Sequence, residues 1–525
     1  MTPRQVPRHS VGRGLRPKVP SNSERGQHRS GYGLGLSTRT QVTGYQFLAR
    51  RTAQALTRWR VRMEVEPGRR QILAVVASVT AAAVICLGAL LWSFINPSGQ
   101  MGESPIIADR DSGALYVRVG DTLYPALNLA SARLIAGRAE NPHKVRSGQI
   151  AEQPHGPLVG IPGAPSDISA TSPTSSSWLV CDSVTAAQGV GAPASVTVTV
   201  IDGTPDLSGR RHVLSGSDAV VLRYGNDTWV IRQGRRSRID AANRAVLLPL
   251  GLTPEQVKQA SPMSRALYDA LPVGPELVVP KVPDTGSKAD FPGAPAPVGA
   301  VLVTPQISGP QQYSVVLPDG VQTISPIVAQ ILQNAGTPSG STPVVVAPAT
   351  LAKMPVVHGL DMSAYPDSPL NVVNMKENPA TCWWWEKTTG EERARVQVVS
   401  GPTVPVGTED TNKVVSLVKA DNSGREADRV YYGPNYANFV VVTGNDPAAS
   451  TAESLWLLSK SGVRYGVDNS REARTALGLT SGPSPAPWVA LRLLAPGPML
   501  SRQDALVRHD TLPTDTNPAE LAVPK

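Results

Sequence analysis

The sequence predicts an α+β protein in three parts: an amphipathic helix on the cytoplasmic side, one membrane-spanning helix, and an elongated outer domain with four αβ repeats around a central β-rich piece. Three observations carry this reading. They are a charge-free apolar run from Gln71 to Ile95, a glycine-spaced pattern that occurs four times beyond it, and two cysteines placed alike in two halves of the outer part.

The apolar run reads QILAVVASVTAAAVICLGALLWSFI, and no charge lies between Arg70 and Glu103. About 25 residues make about 37 Å of helix, enough to cross a hydrocarbon core of about 30 Å with some tilt. The run is longer than the apolar core of a signal peptide, and no A-x-A cleavage site follows it. Arg58, Arg60, Arg62, Arg69 and Arg70 flank its start, whereas Glu103 is the first charge past its end. The positive-inside rule then places the N-terminus in the cytoplasm.

Charge distribution agrees. Residues 1–70 hold 15 basic and three acidic groups; the remainder holds 35 basic and 38 acidic. The net charge of +9 therefore belongs to a short basic stub, which argues against nucleic acid as a partner. Residues 1–36 contain too little apolar surface to offset ordering entropy and are expected to be disordered. From 37 to 66 the pattern is helical. Tyr45, Leu48, Leu56, Trp59 and Met63 share one face, and Arg50, Arg51, Arg58 and Arg62 gather opposite, with Phe47 and Arg60 breaking the pattern. Such a helix suits anionic lipid or a partner protein.

The four repeats begin near Gly113, Asp227, Gln312 and Ser454. Each reads strand, glycine turn, capping residue, helix, glycine. The glycine pairs are Gly120/Gly137, Gly234/Gly251, Gly320/Gly336 and Gly462/Gly478. Asp240 and Ser325 are expected helix caps, with Pro326 in the first helical turn, where its missing N–H is harmless. Between repeats one and two lie Cys181, ASVTVTVIDG and DAVVLRY; between three and four lie Cys382, ARVQVVSG and NFVVVTG. This order predicts a duplicated domain whose middle is a β platform stapled by Cys181–Cys382, because an even pair of cysteines in an oxidising compartment usually bridges. Trp383, Trp384 and Trp385 are expected to pack around the sulfurs. The implied parts are the tail 1–36, the helix 37–66, the membrane helix 71–95, repeats at 106–165, 223–279, 301–360 and 452–505, central segments 176–222 and 378–445, a hinge at 280–300, and a tail at 506–525.

Motifs for chemistry are missing from the sequence. There is no G-x-x-x-x-G-K-[ST] phosphate loop, G-x-S-x-G elbow, HExxH pair or dinucleotide fingerprint, and no Cys/His spacing for a metal. The reading expects no catalytic residue, no metal and no cofactor.

TQVTGYQFLARRTAQAL (from Thr40), the single anchor, and DSGALYVRVGDTLYPALNLASARLIAG (from Asp111) resemble EccB, a core membrane component of the actinobacterial type VII (ESX) secretion machinery. The resemblance extends from about Ser37 to Ala505. It implies a structural subunit of the inner-membrane translocon, working with the EccC motor ATPase, EccD, EccE and the mycosin protease. It also implies a periplasmic outer domain with four repeats around a disulfide-bearing centre, and homo-oligomers formed through that domain. Family members have been described as ATPases, so ATP binding and hydrolysis is an alternative that the resemblance implies. A cell-wall-binding role is a third reading, since stacked repeats can cradle a polymer.

Overall fold

The structure is a computed structural model that describes residues 38–58, 67–95, 101–171, 173–185, 194–336, 338, 342–418, 425–449 and 454–514. The chain divides into two compact units, Met1–Pro97 and Ser98–Lys525.

The first unit holds helices α1 (Arg39–Arg58) and α2 (Pro67–Ile95). Pro67 opens α2 at a position where its fixed φ suits a helix and no N–H is needed. Gln71–Trp92 has a mean hydropathy of 2.5 and is apolar on all sides, long enough by length and composition to cross a membrane.

The second unit begins with a small sheet, β1 (Ile106–Asp109), β2 (Leu115–Val119) and β3 (Thr122–Pro125), then α3 (Leu129–Ala136), β4 (His143–Val145) and α4 (Ser147–Ala151). After β5 (Leu158–Val159) come three strands of a central sheet, β6 (Ser175–Thr185), β7 (Ser195–Asp202) and β8 (His212–Val213). The second small sheet has β9 (Asp218–Tyr224), β10 (Asp227–Arg232), β11 (Arg235–Ile239), α5 (Arg244–Leu247), α6 (Pro254–Lys258), β12 (Ser261–Pro262) and α7 (Arg265–Ala270). The third has β13 (Val301–Thr304), β14 (Gln312–Leu317), β15 (Gly320–Ile324), α8 (Pro326–Asn334), β16 (Val344–Val345) and α9 (Pro348–Leu351). A short β17 (Asn371–Val372) precedes the remaining central strands, β18 (Ala380–Thr388), β19 (Arg395–Gly401), β20 (Val415–Ser416) and β21 (Arg429–Tyr432). The fourth small sheet has β22 (Phe439–Thr443), β23 (Leu455–Leu458), β24 (Val463–Val467), α10 (Arg471–Leu477), β25 (Ser484–Pro487), α11 (Trp488–Leu491) and β26 (Ala495–Pro496), followed by α12 (Arg502–Ala505) and β27 (Arg508–His509).

One strand order recurs in the small sheets: β3-β2-β1-β4, β11-β10-β9-β12, β15-β14-β13-β16 and β24-β23-β22-β25. In each, three antiparallel strands are followed by a helix and a short strand parallel to the first. The central sheet runs β20-β21-β7-β6-β18-β19-β8. Its middle pair, β6 and β18, is antiparallel with Cys181 opposite Cys382. The halves exchange edges: β8 from the first pairs with β19, and β21 from the second runs parallel to β7.

Apolar burial joins the pieces in a definite pattern. One core packs Trp178, Trp383 and Trp385 of the central sheet against Leu267 of α7 and Leu491 of α11. A second joins the first and fourth sheets, with Leu134 of α3 and Leu477 of α10. A third joins the second and third, with Leu247 of α5 and Ile331 of α8. The turn glycines show how the inner sheets dock. At Gly234 (φ 76°) an added Cβ would lie 3.0 Å from the Val396 carbonyl oxygen of β19, and at Gly462 (φ 84°) 2.6 Å from the end of Leu417 beside β21. These two turns need a left-handed residue and a bare backbone at the same place.

Several expectations change. Asp218–Tyr224 and Phe439–Thr443, read as central strands, are the first strands of the second and fourth small sheets. Asp240 does not cap a helix: it accepts from the backbone N–H of Ala242 in a local turn, and α5 starts later, after Asn243. Ser325 caps α8 through Val328 N–H, and Pro326 opens that helix. The hinge at 280–300 is no free linker, because Ala289, Phe291 and Val298 are buried against Leu302 and Val316 of the third sheet. Nor is all of 506–525 a tail: Arg508–His509 pairs with β5, and His509 Nε2 lies 2.8 Å from the Gly160 carbonyl oxygen.

Candidate interaction surface and central platform

On α1 the apolar residues face water: Tyr45 is 77 % exposed, Leu48 60 % and Leu56 81 %. Their spacing of three and eight puts them on one side of the helix. Arg50 is exposed as well. Arg51 departs from the expected basic face. It is buried, its guanidinium 5.1 Å from the Phe47 ring centroid one turn back. Trp59, expected on the apolar stripe, lies outside the described residues, as do Met63, Arg60, Arg62 and residues 1–36.

In the central sheet Cys181 and Cys382 are joined by a disulfide between directly opposed residues, with Cα atoms 3.9 Å apart. Strand alternation decides which tryptophan accompanies it. Trp384 shares the disulfide's face, with Leu179, Ile201 and Val399. Trp383 and Trp385 point the other way, into the core under α7 and α11, so only one of the three indoles packs around the sulfurs.

The α7 and α11 helices meet above that core. Asp269 of α7 and Arg492, just after α11, pair at 2.7 Å. On the sheet below are buried carboxylates that the sequence reading did not single out. Asp182 of β6 is 1 % exposed and accepts from Ser264 N–H and Oγ, both at 2.6 Å. Ser264 in turn caps α7 through Leu267 N–H. Burial pushes the Asp182 carboxyl up to about 7, with the nearby Asp428 adding to the rise against the opposing Ser264 hydrogen bonds. Asp202, at the end of β7, is fully buried and burial pushes it well above the ordinary carboxylate range. Burial, then the adjacent Asp202, pushes the Tyr432 phenol up likewise. The signal was in the sequence: WLVCDSV and VTVIDG each interrupt a strand of apolar residues with one aspartate.

Two clefts lie near these elements. One of 520 Å³ lies between α3 and α10, with Leu134 and Ala473 on its floor and Arg471, Glu472 and Arg502 on its rim. The other, of 390 Å³, is lined by Asp206, Glu409, Asp410 and Tyr431 at one end of the central sheet. Among the described residues no cluster of His, Cys, Asp and Glu is suited to a metal ion.

The chain combines an apolar helix long enough to cross a bilayer with a second unit of small sheets around a disulfide-linked platform. The chain belongs to the EccB family: the family described as "Type VII secretion system ESX-1, transport TM domain B" matches residues 34–514. It is 74 % identical to the protein named ESX-5 secretion system ATPase EccB5 of Mycobacterium tuberculosis strain H37Rv, over 96 % of this chain and 100 % of that one. Against the ESX-3 secretion system ATPase EccB3 of the same strain identity is 40 %, covering 93 % and 92 %. Among solved structures, a chain of an intact ESX-5 inner membrane complex matches with a TM-score of 0.76 and 73 % identity, over 94 % of this chain and 100 % of that one. A chain from an EccB3 dimer of the ESX-3 core complex matches with a TM-score of 0.69 and 37 % identity, over 77 % and 100 %.

Proposed function

We propose that this chain is a structural subunit of an ESX-type inner-membrane secretion complex. Its N-terminal helix lies in the cytoplasm, α2 crosses the membrane, and residues 98–525 organise the assembly in the periplasm. The observation that carries this reading is the match, at 73 % identity, to the full length of a chain in an intact ESX-5 inner membrane complex. Orientation is supported by the 15 basic residues before the membrane helix against a slightly acidic remainder. The recurrent strand order supports four copies of one repeat, packed as first with fourth and second with third. The solved EccB3 dimer supports association of copies, and the outer domain is the part proposed for it. EccC, EccD, EccE and the mycosin protease are the partners expected from the family, and the α1 stripe is the surface offered to one of them, with Arg50 toward lipid headgroups.

A second reading, ATP turnover, draws on the word ATPase in the names of the relatives. No phosphate loop in the sequence supports it.

The test is to purify the tagged full chain from its own membranes in mild detergent. It should emerge in an assembly many times its 55.4 kDa mass, together with a motor ATPase and further membrane subunits. A chain that emerges alone, with its membrane insertion intact, contradicts the proposal. Hydrolysis of ATP by the chain purified free of other subunits, abolished by one substitution, would favour the second reading.

A further inference from the structure

In the pair formed by Asp182 and Ser264, a buried ionisable side chain of the central sheet holds the start of a helix. Asp182 sits on the sheet face that carries Trp383 and Trp385, between Val198 of β7 and Thr381 of β18. Both Ser264 donors point at its carboxylate, and the same Ser264 Oγ receives Leu267 N–H. Asp428 approaches from the segment before β21, where one oxygen accepts from Val198 N–H at 2.7 Å and the other is buried without a hydrogen-bond partner among the described residues. Thr381, directly across from Asp182, has a buried hydroxyl likewise without a partner. The charged side chains on the neighbouring elements turn elsewhere. Arg265 of α7 pairs with Asp269, Asp269 also with Arg492, and Arg429 of β21 is exposed.

Two carboxylates therefore share a buried site, and among the described residues the ion pairs of Arg265 and Arg492 go to Asp269 instead. Holding both ionised costs more than protonating one. We propose that Asp182 is a proton-binding site that couples the protonation of the central sheet to the seating of α7 and, through Asp269 and Arg492, of α11. With the proton on, Asp182 is a neutral acid that still accepts from Ser264. With the proton off, a buried anion faces Asp428, and α7 is held against that repulsion.

A carboxyl at about 7 in the fold, against an ordinary value of 3.8, binds its proton more tightly folded than open. The stabilisation is complete below about pH 4, declines as pH rises, and is gone above about 7. This linkage thus favours the seated α7 most below about pH 4 and least above about 7.

Two readouts on the full chain in detergent test this. Amide exchange, corrected for its intrinsic rate, should show the opening equilibrium of α7 rising with pH between about 4 and 7, by up to tenfold per unit, the limit for one linked proton. It should level off above 7, while α8 in the third sheet lacks this slope. Asp182→Asn should remove the slope, and Ser264→Ala, which removes a donor to the ionised form, should move the midpoint up. Infrared difference spectra between pH 6 and 8 should show loss of a buried carboxylic-acid band that is missing in Asp182→Asn. The wild-type measurements need no variant to fold. No acid band in the wild type, or equal slopes in α7 and α8, or an unchanged slope in Asp182→Asn, would overturn the proposal.

Discussion

The second and fourth small sheets hold an arginine at the same place and treat it differently. Arg236 of β11 and Arg464 of β24 each follow a turn glycine by two residues, stack on a tryptophan and reach a carbonyl just past a later helix, Leu271 after α7 for one and Leu494 after α11 for the other. Around Arg236 the site is sealed. Tyr268 lies 3.8 Å from the guanidinium, Tyr224 stacks on Tyr268, and the arginine is 8 % exposed. Arg464 sits between Trp456 and Trp488, and Trp488 is 38 % exposed. The same frame is a closed core device in one sheet and a half-open one in the other. Fold topology thus fixes where a residue stands, and its neighbours decide what it is worth.

The largest effect should come from the sealed site. Arg236→Ala leaves the carbonyls of Tyr268 and Leu271 without their donor and removes two ring contacts, a loss of about 3 kcal/mol or more. Arg464→Ala, with one carbonyl partner and access to water, should lose about 1 kcal/mol. Urea unfolding of the two variants measures the difference, and equal losses would break the comparison. The turn glycines sharpen it. Gly234→Ala meets a backbone oxygen that cannot move aside and should cost about 2 kcal/mol, whereas at Gly462 the obstacle is the end of the flexible Leu417 side chain and the cost should be about 1 kcal/mol, mainly from the positive φ. Smallest is Arg492→Ala. The pair with Asp269 is partly solvated, so its loss should be under about 1 kcal/mol and should shrink with added salt.

Much of the fold could be read from local patterns. The apolar run, the turn glycines and the cap at Ser325 each obey a short-range rule, so the strand–turn–helix units are visible in the chain itself. Features decided by long-range pairing were hidden. Asp218–Tyr224 and Phe439–Thr443 look like any buried strand, and only hydrogen bonding assigns them to the small sheets. The hinge is rich in proline and glycine, yet Phe291 and Val298 find a core to enter. Burial of Arg51 was equally invisible, since helical periodicity set it on the basic face. At the candidate surface, periodicity identified Tyr45, Leu48 and Leu56, all of them exposed. It did not single out Asp182, which stands out only as an aspartate within an apolar strand and whose partner is a serine 82 residues further along.

The central claim is that the exposed stripe of α1 holds this subunit in a membrane complex, and one measurement tests it most directly. Leu48→Asp with Leu56→Asp places two charges on the stripe and leaves α2 untouched. Native gels of detergent-extracted membranes should show the double variant still in the membrane fraction but migrating apart from the assembly that contains the wild type. Arg50→Glu, at an exposed and salt-screened position, should weaken association less. A double variant that co-migrates fully with the assembly would contradict the claim and leave α1 a solvated spacer.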